Sequence, residues 1–356
     1  MLRLFTGRGS CGALVILLAI VAVFAAFVRQ QDQSEWAAPT ASTGAIQLYF
    51  TDPTSTHAQA YRGGPDEQLA QAIDAAQTSV DVAAYAFNLW SLRDALLAAH
   101  ARGVRVRMVV ESDNLLEPEV DDLVRAGIPV LGDRREPLMH HKFIVIDAQE
   151  VWTGSMNLTL GSAYVDHNNL LRLRSPEIAA DFTREFEEMF VEDRFGALSL
   201  PDTPFPEAGL DGRTIEVLFS PDDGVAEAIL AELRGARSSI DLMAYAFTSD
   251  DIAQALIERA GEGVRVRVVV EGRQAEATGA EYARLRQGGL QARVYRGQGL
   301  LHHKVIVIDQ ALVITGSYNY TRSAEEYNDE AVLILHDPEL AAWFSAEFDR
   351  LYRDAE

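Results

Sequence analysis

Short apolar runs alternate with amphipathic segments along most of this chain of 356 residues. The runs VDVAAYAF, VRVRMVVE and FIVID are rich in Val and Ile and have the length of buried strands. The segments EQLAQAIDAAQ, LRDALLAAHARG and PEIAADFTREFEEMF place apolar residues at helical spacing. This alternation predicts an α/β fold in which helices flank a mixed β-sheet.

The whole pattern occurs twice. Residues 140–159 read HHKFIVIDAQEVWTGSMNLT, residues 302–321 read HHKVIVIDQALVITGSYNYT, and thirteen of the twenty positions are identical. Further upstream, TSVDVAAYAF at 78–87 matches SSIDLMAYAF at 238–247. Each copy spans about 160 residues, which is the size of a domain. We therefore predict two similar halves packed with pseudo-twofold symmetry, an arrangement that brings matching residues of both copies to one shared cleft.

The repeat also sets the expected domain boundaries. The first half covers residues 45–197 and the second covers residues 214–356. The Pro-rich stretch 198–213 reads as the linker between them, and the polar stretch 31–44 as a linker ahead of the first half. Residues 1–30 hold a short tail and an apolar segment.

That apolar segment, residues 11–28, is an uncharged run of 18 residues that suits a transmembrane helix or an export signal. Its length favours an uncleaved anchor over a cleaved signal peptide. Arg3 and Arg8 precede it, so the positive-inside bias places the tail in the cytoplasm. The expected location is a membrane-anchored catalytic region outside the cytoplasm, or a secreted protein if the segment is cleaved.

Charge and composition narrow the chemistry. The net charge of −22 argues against broad, non-specific binding to nucleic acid phosphates. A single cysteine, Cys11, excludes an intramolecular disulfide framework, and no Cys/His spacing resembles a zinc site, so no metal or cofactor is expected. The 31 basic residues are 29 arginines and two lysines, and the lysines are Lys142 and Lys304 in the repeated segments.

Each repeated segment begins with the pattern of a phosphate site. Side chains alternate along a strand, so His140 and Lys142 face one side while His141 faces the other, and the same holds for His302 and Lys304. Two histidines in one cleft allow one to attack while the other protonates the leaving oxygen. Ammonium groups suit the non-bridging oxygens of a phosphoryl transition state.

A glycine turn then supplies neutral hydrogen-bond donors in each copy. The candidate phosphate-binding residues are Ser155, Asn157, Ser317 and Asn319. In each copy an aspartate, Asp147 or Asp309, lies five residues beyond the lysine and before the glycine turn. In an unbroken strand these carboxylates face away from the histidine and lysine, so we expect them to hold the following turn.

The complete pattern His-x-Lys-x4-Asp-x6-Gly-Ser-x-Asn resembles the signature of the phospholipase D superfamily, and the resemblance covers nearly everything from about residue 45 onward. It implies a metal-independent reaction with a covalent phosphohistidine intermediate. It also implies that His140 is the nucleophile and His302 the acid. The catalytic set that it implies is His140, Lys142, Asp147, His302, Lys304 and Asp309.

The resemblance also draws attention to Glu330. Related enzymes place a carboxylate at this position that orients a catalytic histidine, while the matching position of the first half is Asn168. The sequence does not say which histidine Glu330 reaches.

The resemblance does not select one substrate, because the superfamily contains phospholipases, cardiolipin synthases and hydrolases, endonucleases and inactive members. Residues 29–356 carry 29 basic and 53 acidic groups, a net charge of −24 that opposes both DNA and anionic headgroups. The predicted anchor favours a phospholipid headgroup phosphodiesterase, with phospholipid and membrane as partners. The alternatives are an exported nuclease of the same superfamily and, less favoured, an inactive lipid-binding scaffold. A monomer is sufficient for a complete site.

Other polar and aromatic residues have simpler interpretations. Tyr85 and Tyr245 end matching strands, which favours core packing over contact with the site. His167 has no partner in the repeat and is treated as incidental. Arg107, Arg267 and the acidic helices near 183–193 and 345–354 are expected to be solvated faces, while Arg134, Arg135 and Arg296, just before the motifs, could equally line the rim of the cleft.

Overall fold

The computed structural model describes residues 41–356. The predicted tail, the predicted anchor and most of the first linker lie outside the described residues. Within residues 41–356, no helix combines the length and the apolar character needed to cross a membrane.

The first half contains eight strands and six α-helices within the described residues. The Val- and Ile-rich runs form the central strands, and the amphipathic segments form the long helices, as predicted. The elements are β1 (Ala41–Thr43), β2 (Ile46–Phe50), α1 (Thr56–Gln59), α2 (Pro65–Ala75), β3 (Ser79–Ala84), α3 (Trp90–Ala101), β4 (Arg105–Val110), α4 (Pro118–Arg125), β5 (Val130–Gly132), β6 (Lys142–Ile146), β7 (Glu150–Gly154), α5 (Leu160–Tyr164), β8 (Asn169–Leu173) and α6 (Pro176–Phe190).

The second half repeats this order. Its elements are β9 (Glu207–Leu210), β10 (Arg213–Ser220), α7 (Val225–Gly235), β11 (Ser239–Ala244), α8 (Asp250–Gly261), β12 (Arg265–Glu271), α9 (Tyr282–Gln287), β13 (Gln291–Tyr295), β14 (Lys304–Ile308), β15 (Leu312–Gly316), α10 (Arg322–Glu326), β16 (Glu330–His336) and α11 (Pro338–Asp354). Two strands, β1 and β9, form inside the stretches 31–44 and 198–213 that the sequence assigns to linkers, and each adds an edge strand to its sheet.

Each half is built on one mixed sheet of eight strands. The order is β1-β2-β8-β7-β6-β3-β4-β5 in the first sheet and β13-β12-β11-β14-β15-β16-β10-β9 in the second. Strands β3, β4 and β5 run parallel, as do β11, β12 and β13, and the other neighbours are antiparallel. This is the predicted α/β architecture of two similar halves.

One edge of the first sheet carries the motif residues. Ala84 at the end of β3 pairs with both Val110 at the end of β4 and Lys142 at the start of β6. We call this the catalytic edge. Because parallel strands end together, the loops that follow β3 and β4 gather at the same edge as the histidine that precedes β6.

The longest helix of each half packs between the two sheets. One core cluster contains Phe182 and Phe186 of α6, Phe344 and Phe348 of α11, and strand residues of both sheets. Two further clusters cover the outer faces, one for each half. The shared cluster holds the halves together at an apolar interface, so the motif strands keep a constant mutual position.

Arg107 of β4 and Arg267 of β12 do not lie on solvated faces, contrary to the prediction. Arg107 is buried and binds Asp81 and Glu187, while Arg267 binds Asp241 and Asp349. In each half the guanidinium joins the sheet to the long helix, because an acidic residue of the neighbouring strand lies opposite it in register.

Candidate active site

The two halves exchange backbone hydrogen bonds beside the motifs. The N–H of His140 donates to the carbonyl oxygen of Asp329 at 3.0 Å, and the N–H of His302 donates to the carbonyl oxygen of His167 at 3.0 Å. The adjoining isolated bridges, Met139 with Asp329 and His167 with Leu301, repeat the same relation. This reciprocity is what a pseudo-twofold arrangement predicts, and it draws both motif histidines into one cleft.

Four charged or titratable side chains form the centre of that cleft. His140 and His302 are 7% and 8% exposed, and Lys142 and Lys304 are each 1% exposed. Burial, followed by the ammonium groups of both lysines, lowers the pKa of each histidine well below its usual range. Burial also lowers the pKa of Lys142 to about 7 and that of Lys304 well below its ordinary value. An anion bound beside these two buried amines favours their charged forms, so the cleft is suited to an anion.

The orienting contacts cross between the halves. Glu330 Oε2 of the second half lies 2.7 Å from His140 Nδ1 of the first half. Asn168 Oδ1 of the first half lies 2.8 Å from His302 Nδ1 of the second half. The question that the sequence left open is thus answered: Glu330 reaches His140. Since the orienting residues engage both Nδ1 atoms, Nε2 is the atom of each ring that can face a substrate, and Lys304 Nζ lies 3.2 Å from Nε2 of His302.

The amide of Asn168 also defines the proton position on His302. Its Nδ2 donates to the carbonyl oxygen of Ser162 at 3.0 Å, so its Oδ1 is the atom that faces the histidine and accepts from Nδ1–H. In the neutral ring, Nε2 therefore carries the lone pair, and Lys304 Nζ lies 3.2 Å from it. Glu330 fixes the ring of His140 in the same way, but with a carboxylate whose pKa burial raises to about 7.

The serines of the Gly-Ser-x-Asn tails are not the phosphate donors that the sequence predicts. Ser155 is fully buried, and its hydroxyl donates to Asn168 Oδ1 at 2.9 Å. Ser317 is also buried, and its hydroxyl accepts from the N–H of Ala331, next to Glu330. Both hydroxyls support the residues that orient the histidines, because the strand buries them behind the cleft.

The asparagines of the same tails remain candidates for binding phosphate. Asn157 and Asn319 are half-buried, and the Oδ1 atom of each is buried without a hydrogen-bond partner. Their amide groups are thus not committed to neighbouring strands, unlike the serine hydroxyls.

Asp147 and Asp309 lie outside the cleft, so their place in the implied catalytic set is corrected. Asp147 Oδ1 accepts hydrogen bonds from the backbone N–H groups of Thr78 and Ser79, at 2.6 and 3.0 Å. Asp309 Oδ1 accepts from Ser238 and Ser239 in the same way, at 2.7 and 2.9 Å. Each carboxylate ties the turn after its motif strand to the start of the neighbouring strand, as the strand alternation indicated.

The tyrosines that directly follow β3 and β11 form walls of the cleft, which overturns their assignment to the core. The ring centroid of Tyr85 lies 4.7 Å from that of His140, and that of Tyr245 lies 4.6 Å from that of His302. Lys142 Nζ and Lys304 Nζ lie 5.1 and 4.9 Å from the respective tyrosine centroids. These rings hold the imidazoles and shield the ammonium groups from water.

Two glutamates behind the motifs were missed because their helices read as solvated faces. Glu185 Oε1 lies 2.7 Å from His141 Nε2, and Glu347 Oε1 lies 3.4 Å from His303 Nε2. Both glutamates are buried. Their spacing from each other matches the spacing of the two motifs, and this repeat signal was available in the sequence.

His167 is likewise structural and not incidental. It is fully buried, and its Nε2 lies 2.8 Å from the hydroxyl of Tyr295. It holds the loop whose carbonyl oxygen accepts from His302.

A cavity of about 490 Å³ adjoins the cleft on the His302 side. Both halves contribute to it, with Asp166 from the first half and Glu271, Arg273 and Arg296 from the second. The charges of Asp166, Glu271 and Arg273 all act on the hydroxyl of Tyr245, the cleft wall beside His302. The cavity thus presents both carboxylates and guanidinium groups next to the reacting centre.

Within residues 41–356, the one cluster of potential metal ligands is Glu216, Glu232 and His336. It lies at the opposite end of β16 from Glu330 and includes no motif residue.

The motifs and their geometry agree with a comparison against protein families. The family described as "Cardiolipin synthase, PLD-like domain" matches residues 69–190 and again residues 229–352. The chain belongs to the phospholipase D superfamily. Both matches contain a complete His-x-Lys motif, so the superfamily domain occurs twice, once in each half.

Individual relatives match stretches about as long as one half of the chain. A mitochondrial cardiolipin hydrolase of Chlamydomonas reinhardtii is 37% identical over 173 residues, which are 42% of this chain and 78% of that protein. The mouse mitochondrial cardiolipin hydrolase is 36% identical over 126 residues, 35% of this chain and 57% of that protein. A phospholipase D of Rickettsia typhi is 32% identical over 159 residues, 42% of this chain and 77% of that protein.

Among solved structures, the phosphatidylserine synthase of Haemophilus influenzae has the same two-half architecture. It aligns with a TM-score of 0.65 at 13% identity and covers 87% of each chain. This likeness supports the fold alone.

Proposed function

We propose that this protein is a phospholipase D-type phosphodiesterase that hydrolyses phospholipid headgroup phosphodiesters through a covalent phosphohistidine, without a metal ion. The observation that carries the proposal is the crossed pair of oriented histidines, Glu330 on His140 and Asn168 on His302, around two buried lysines. The family relatives named as phospholipase D and cardiolipin hydrolase support the substrate class.

The different orienting groups suit different roles. Attack by Nε2 of His140 on phosphorus places a positive charge on the ring, and the carboxylate of Glu330 stabilises that charge through Nδ1–H. His302 in its protonated form donates a proton from Nε2 to the leaving oxygen as the phosphorus–oxygen bond breaks. The neutral amide of Asn168 stabilises the imidazolium less than a carboxylate does, so His302 is the better proton donor.

In the second step, the proton moves in the opposite direction, toward His302. Neutral His302 removes a proton from water, the water oxygen attacks phosphorus, and the phosphorus–nitrogen bond to His140 breaks. The products are the phosphatidic acid and the free histidine. Lys142 and Lys304 lie against non-bridging oxygens in both steps, and the anion that they bind restores their charge by raising their pKa.

The leaving headgroup binds in the cavity beside His302, because the proton donor His302 must lie next to the leaving oxygen. The carboxylates and guanidinium groups of that cavity suit a polar headgroup.

We further propose that residues 11–28 anchor the enzyme in a membrane with residues 41–356 outside the cytoplasm. The apolar run and the preceding Arg3 and Arg8 support this. Retention of the full chain in the membrane fraction after a carbonate wash is the expected result, and a soluble chain that begins near Ala26 would contradict the anchor.

The activity is tested on the purified full chain with phosphatidylglycerol, cardiolipin, phosphatidylethanolamine, phosphatidylcholine and single- and double-stranded DNA, each with and without excess EDTA. We expect phospholipid hydrolysis that survives the chelator. Loss of activity in EDTA that only a divalent metal restores would contradict the metal-free mechanism. DNA cleavage that outpaces phospholipid hydrolysis by tenfold or more would show a nuclease instead.

The intermediate is tested with substrate labelled at phosphorus. His302→Ala should accumulate label on the protein when the leaving group is good, whereas His140→Ala should not. His57→Ala, an exposed histidine outside the cleft, is the matched control and should turn over normally. Label that persists in His140→Ala would refute the assignment of the nucleophile.

A further inference from the structure

Three large apolar side chains are exposed at the catalytic edge of the first half. Leu116 is 93% exposed, Trp90 is 48% exposed and Tyr61 is 46% exposed. Trp90 begins α3 just after β3, Leu116 follows β4, and Tyr61 lies beside Trp90 against a common cavity. We call these three residues the apolar lip.

The second half has no apolar counterpart of Trp90 or Leu116, although its fold is the same. Asp250 begins α8 at the position that Trp90 occupies in α3. The loop 272–281, which corresponds to the loop of Leu116, contains no large apolar residue. The apolar lip is thus a property of one side of a pseudo-symmetric cleft, and the fold alone does not account for it.

Strand β1 begins at the same edge of the first sheet as the apolar lip. Strand β1 runs antiparallel to β2, and Ala41 pairs with Leu48 near the end of β2. Phe50 then pairs with Asn169 at the start of β8, on the catalytic edge. The chain therefore enters β1 from the catalytic edge. Twelve residues, 29–40, separate the apolar run from β1, and these reach at most about 40 Å when fully extended.

We propose that the apolar lip is the surface by which the catalytic domain docks on a phospholipid bilayer, with Leu116 inserted and Trp90 and Tyr61 at the headgroup level. This rests on the proposed lipid function and adds to it the face of the molecule that meets the membrane. Leucine enters the hydrocarbon, and tryptophan and tyrosine favour the interface between hydrocarbon and water. Docking at this edge presents the mouth of the cleft to the bilayer that holds the substrate.

The charge of the protein decides what kind of docking this is. Residues 29–356 carry a net charge of −24, so attraction to anionic lipid does not drive it. Insertion of apolar side chains does not depend on screening, whereas electrostatic binding weakens with salt. Docking should therefore be at least as strong at 0.5 M salt as at 0.1 M, because salt also screens the repulsion between the acidic protein and anionic lipid.

The first experiment measures depth in the membrane with the full chain reconstituted in phosphatidylethanolamine and phosphatidylglycerol vesicles. A nitroxide spin label is placed at Leu116→Cys in a Cys11→Ser background, and the matched control carries it at Trp343→Cys. Trp343 is 41% exposed on α11 and lies away from the catalytic edge. We expect the label at 116 to be accessible to oxygen and protected from an aqueous nickel chelate, and the label at 343 to show the reverse.

Two results of this experiment would overturn the proposal. One is equal nickel accessibility at both positions. The other is broadening of the spectrum by a second label at 116, which would show that the lip contacts another copy of the chain. The depth measurement needs no catalysis, so it decides the docking surface even if the proposed activity fails.

The second experiment separates docking from chemistry. Trp90→Glu and Leu116→Asp should lower turnover of vesicle phospholipid at least tenfold and leave turnover of a monomeric short-chain phospholipid within twofold of the wild type. Trp343→Glu, a matched tryptophan, should leave both unchanged. An equal loss on both substrates would place the lip in the chemistry or the fold, and no loss on vesicles would refute docking.

Discussion

The carboxylate of Glu330 is the feature that makes the two histidines unequal, and Glu330→Gln tests it directly. Glutamine keeps the shape and can still accept from Nδ1–H of His140, which Glu330 Oε2 now binds at 2.7 Å, but it carries no charge. We expect slower formation of the phosphohistidine with the fold intact, because the positive charge on the ring of His140 loses its counter-charge.

The size of the effect follows from the geometry. Hydrogen bonds to charged groups contribute about 1.5–3 kcal/mol and neutral ones about 0.5–1.5, so the difference is about 1 kcal/mol at least. The attraction between a full charge on Glu330 and the positive ring of His140, about 4 Å apart at an effective dielectric constant near 20, is about 4 kcal/mol, which is the upper value for the loss. The rate of the first step should thus fall by between about fivefold and about a thousandfold.

The assay is single-turnover hydrolysis at pH 8, where Glu330 is ionised because its pKa is about 7. The matched control is Glu185→Gln, another buried glutamate that binds a histidine outside the cleft. Glu185 contacts His141, which faces the core and not the cleft, so its replacement should change the rate little. A Glu330→Gln rate within twofold of the wild type, or one as low as that of His140→Ala, would refute the reasoning.

Three further outcomes are expected. Burial raises the pKa of Glu330 to about 7 and lowers that of Lys142 to about 7, so kcat/KM should peak near pH 7. The value of kcat should persist to higher pH, because bound phosphate keeps Lys142 charged. Profiles of kcat and kcat/KM that coincide from pH 5 to 9 would contradict this. Burial opposes ionisation of Asp309, but hydrogen bonds from residues 237–239 outweigh it and lower the pKa of Asp309 to about 2. The stabilisation by Asp309 is therefore present above the unfolded pKa near 4 and is lost as pH falls toward 2. In calorimetry, Asp309→Ala should lower Tm at pH 7 by more than it does below pH 3, with little change in kcat. Arg273→Asp, which copies Asp113 of the first half, should reduce kcat/KM for phosphatidylglycerol about fivefold relative to phosphatidylethanolamine, and an unchanged ratio would show that the cavity does not sense headgroup charge.

The sequence predicts most of this architecture because repetition and strand periodicity report on it directly. The alternation of His140, His141 and Lys142 correctly separates the residue that faces the cleft from the one that faces the core. The same reasoning placed Asp147 in its turn, where the superfamily signature alone suggested a catalytic residue.

The errors concern groups whose environment depends on packing between elements. Tyr85 ends a strand, and only the meeting of the two halves decides that its ring lies against His140. Glu185 lies on a helix with many acidic residues, and only the docking of that helix between the sheets buries it beside His141. Ser155 has the right chemistry for a phosphate donor, but the direction of its hydroxyl is set by Asn168.

The crossed orienting contacts have a consequence for how such a protein can change over generations. In a symmetric pair of identical chains, one codon would specify the partner of both histidines, so a carboxylate at one would mean a carboxylate at the other. Here the two positions are separate codons, and Glu330 and Asn168 have diverged. Duplication within one gene thus lets selection tune nucleophile and acid independently, while the exchange of contacts prevents either copy from being discarded.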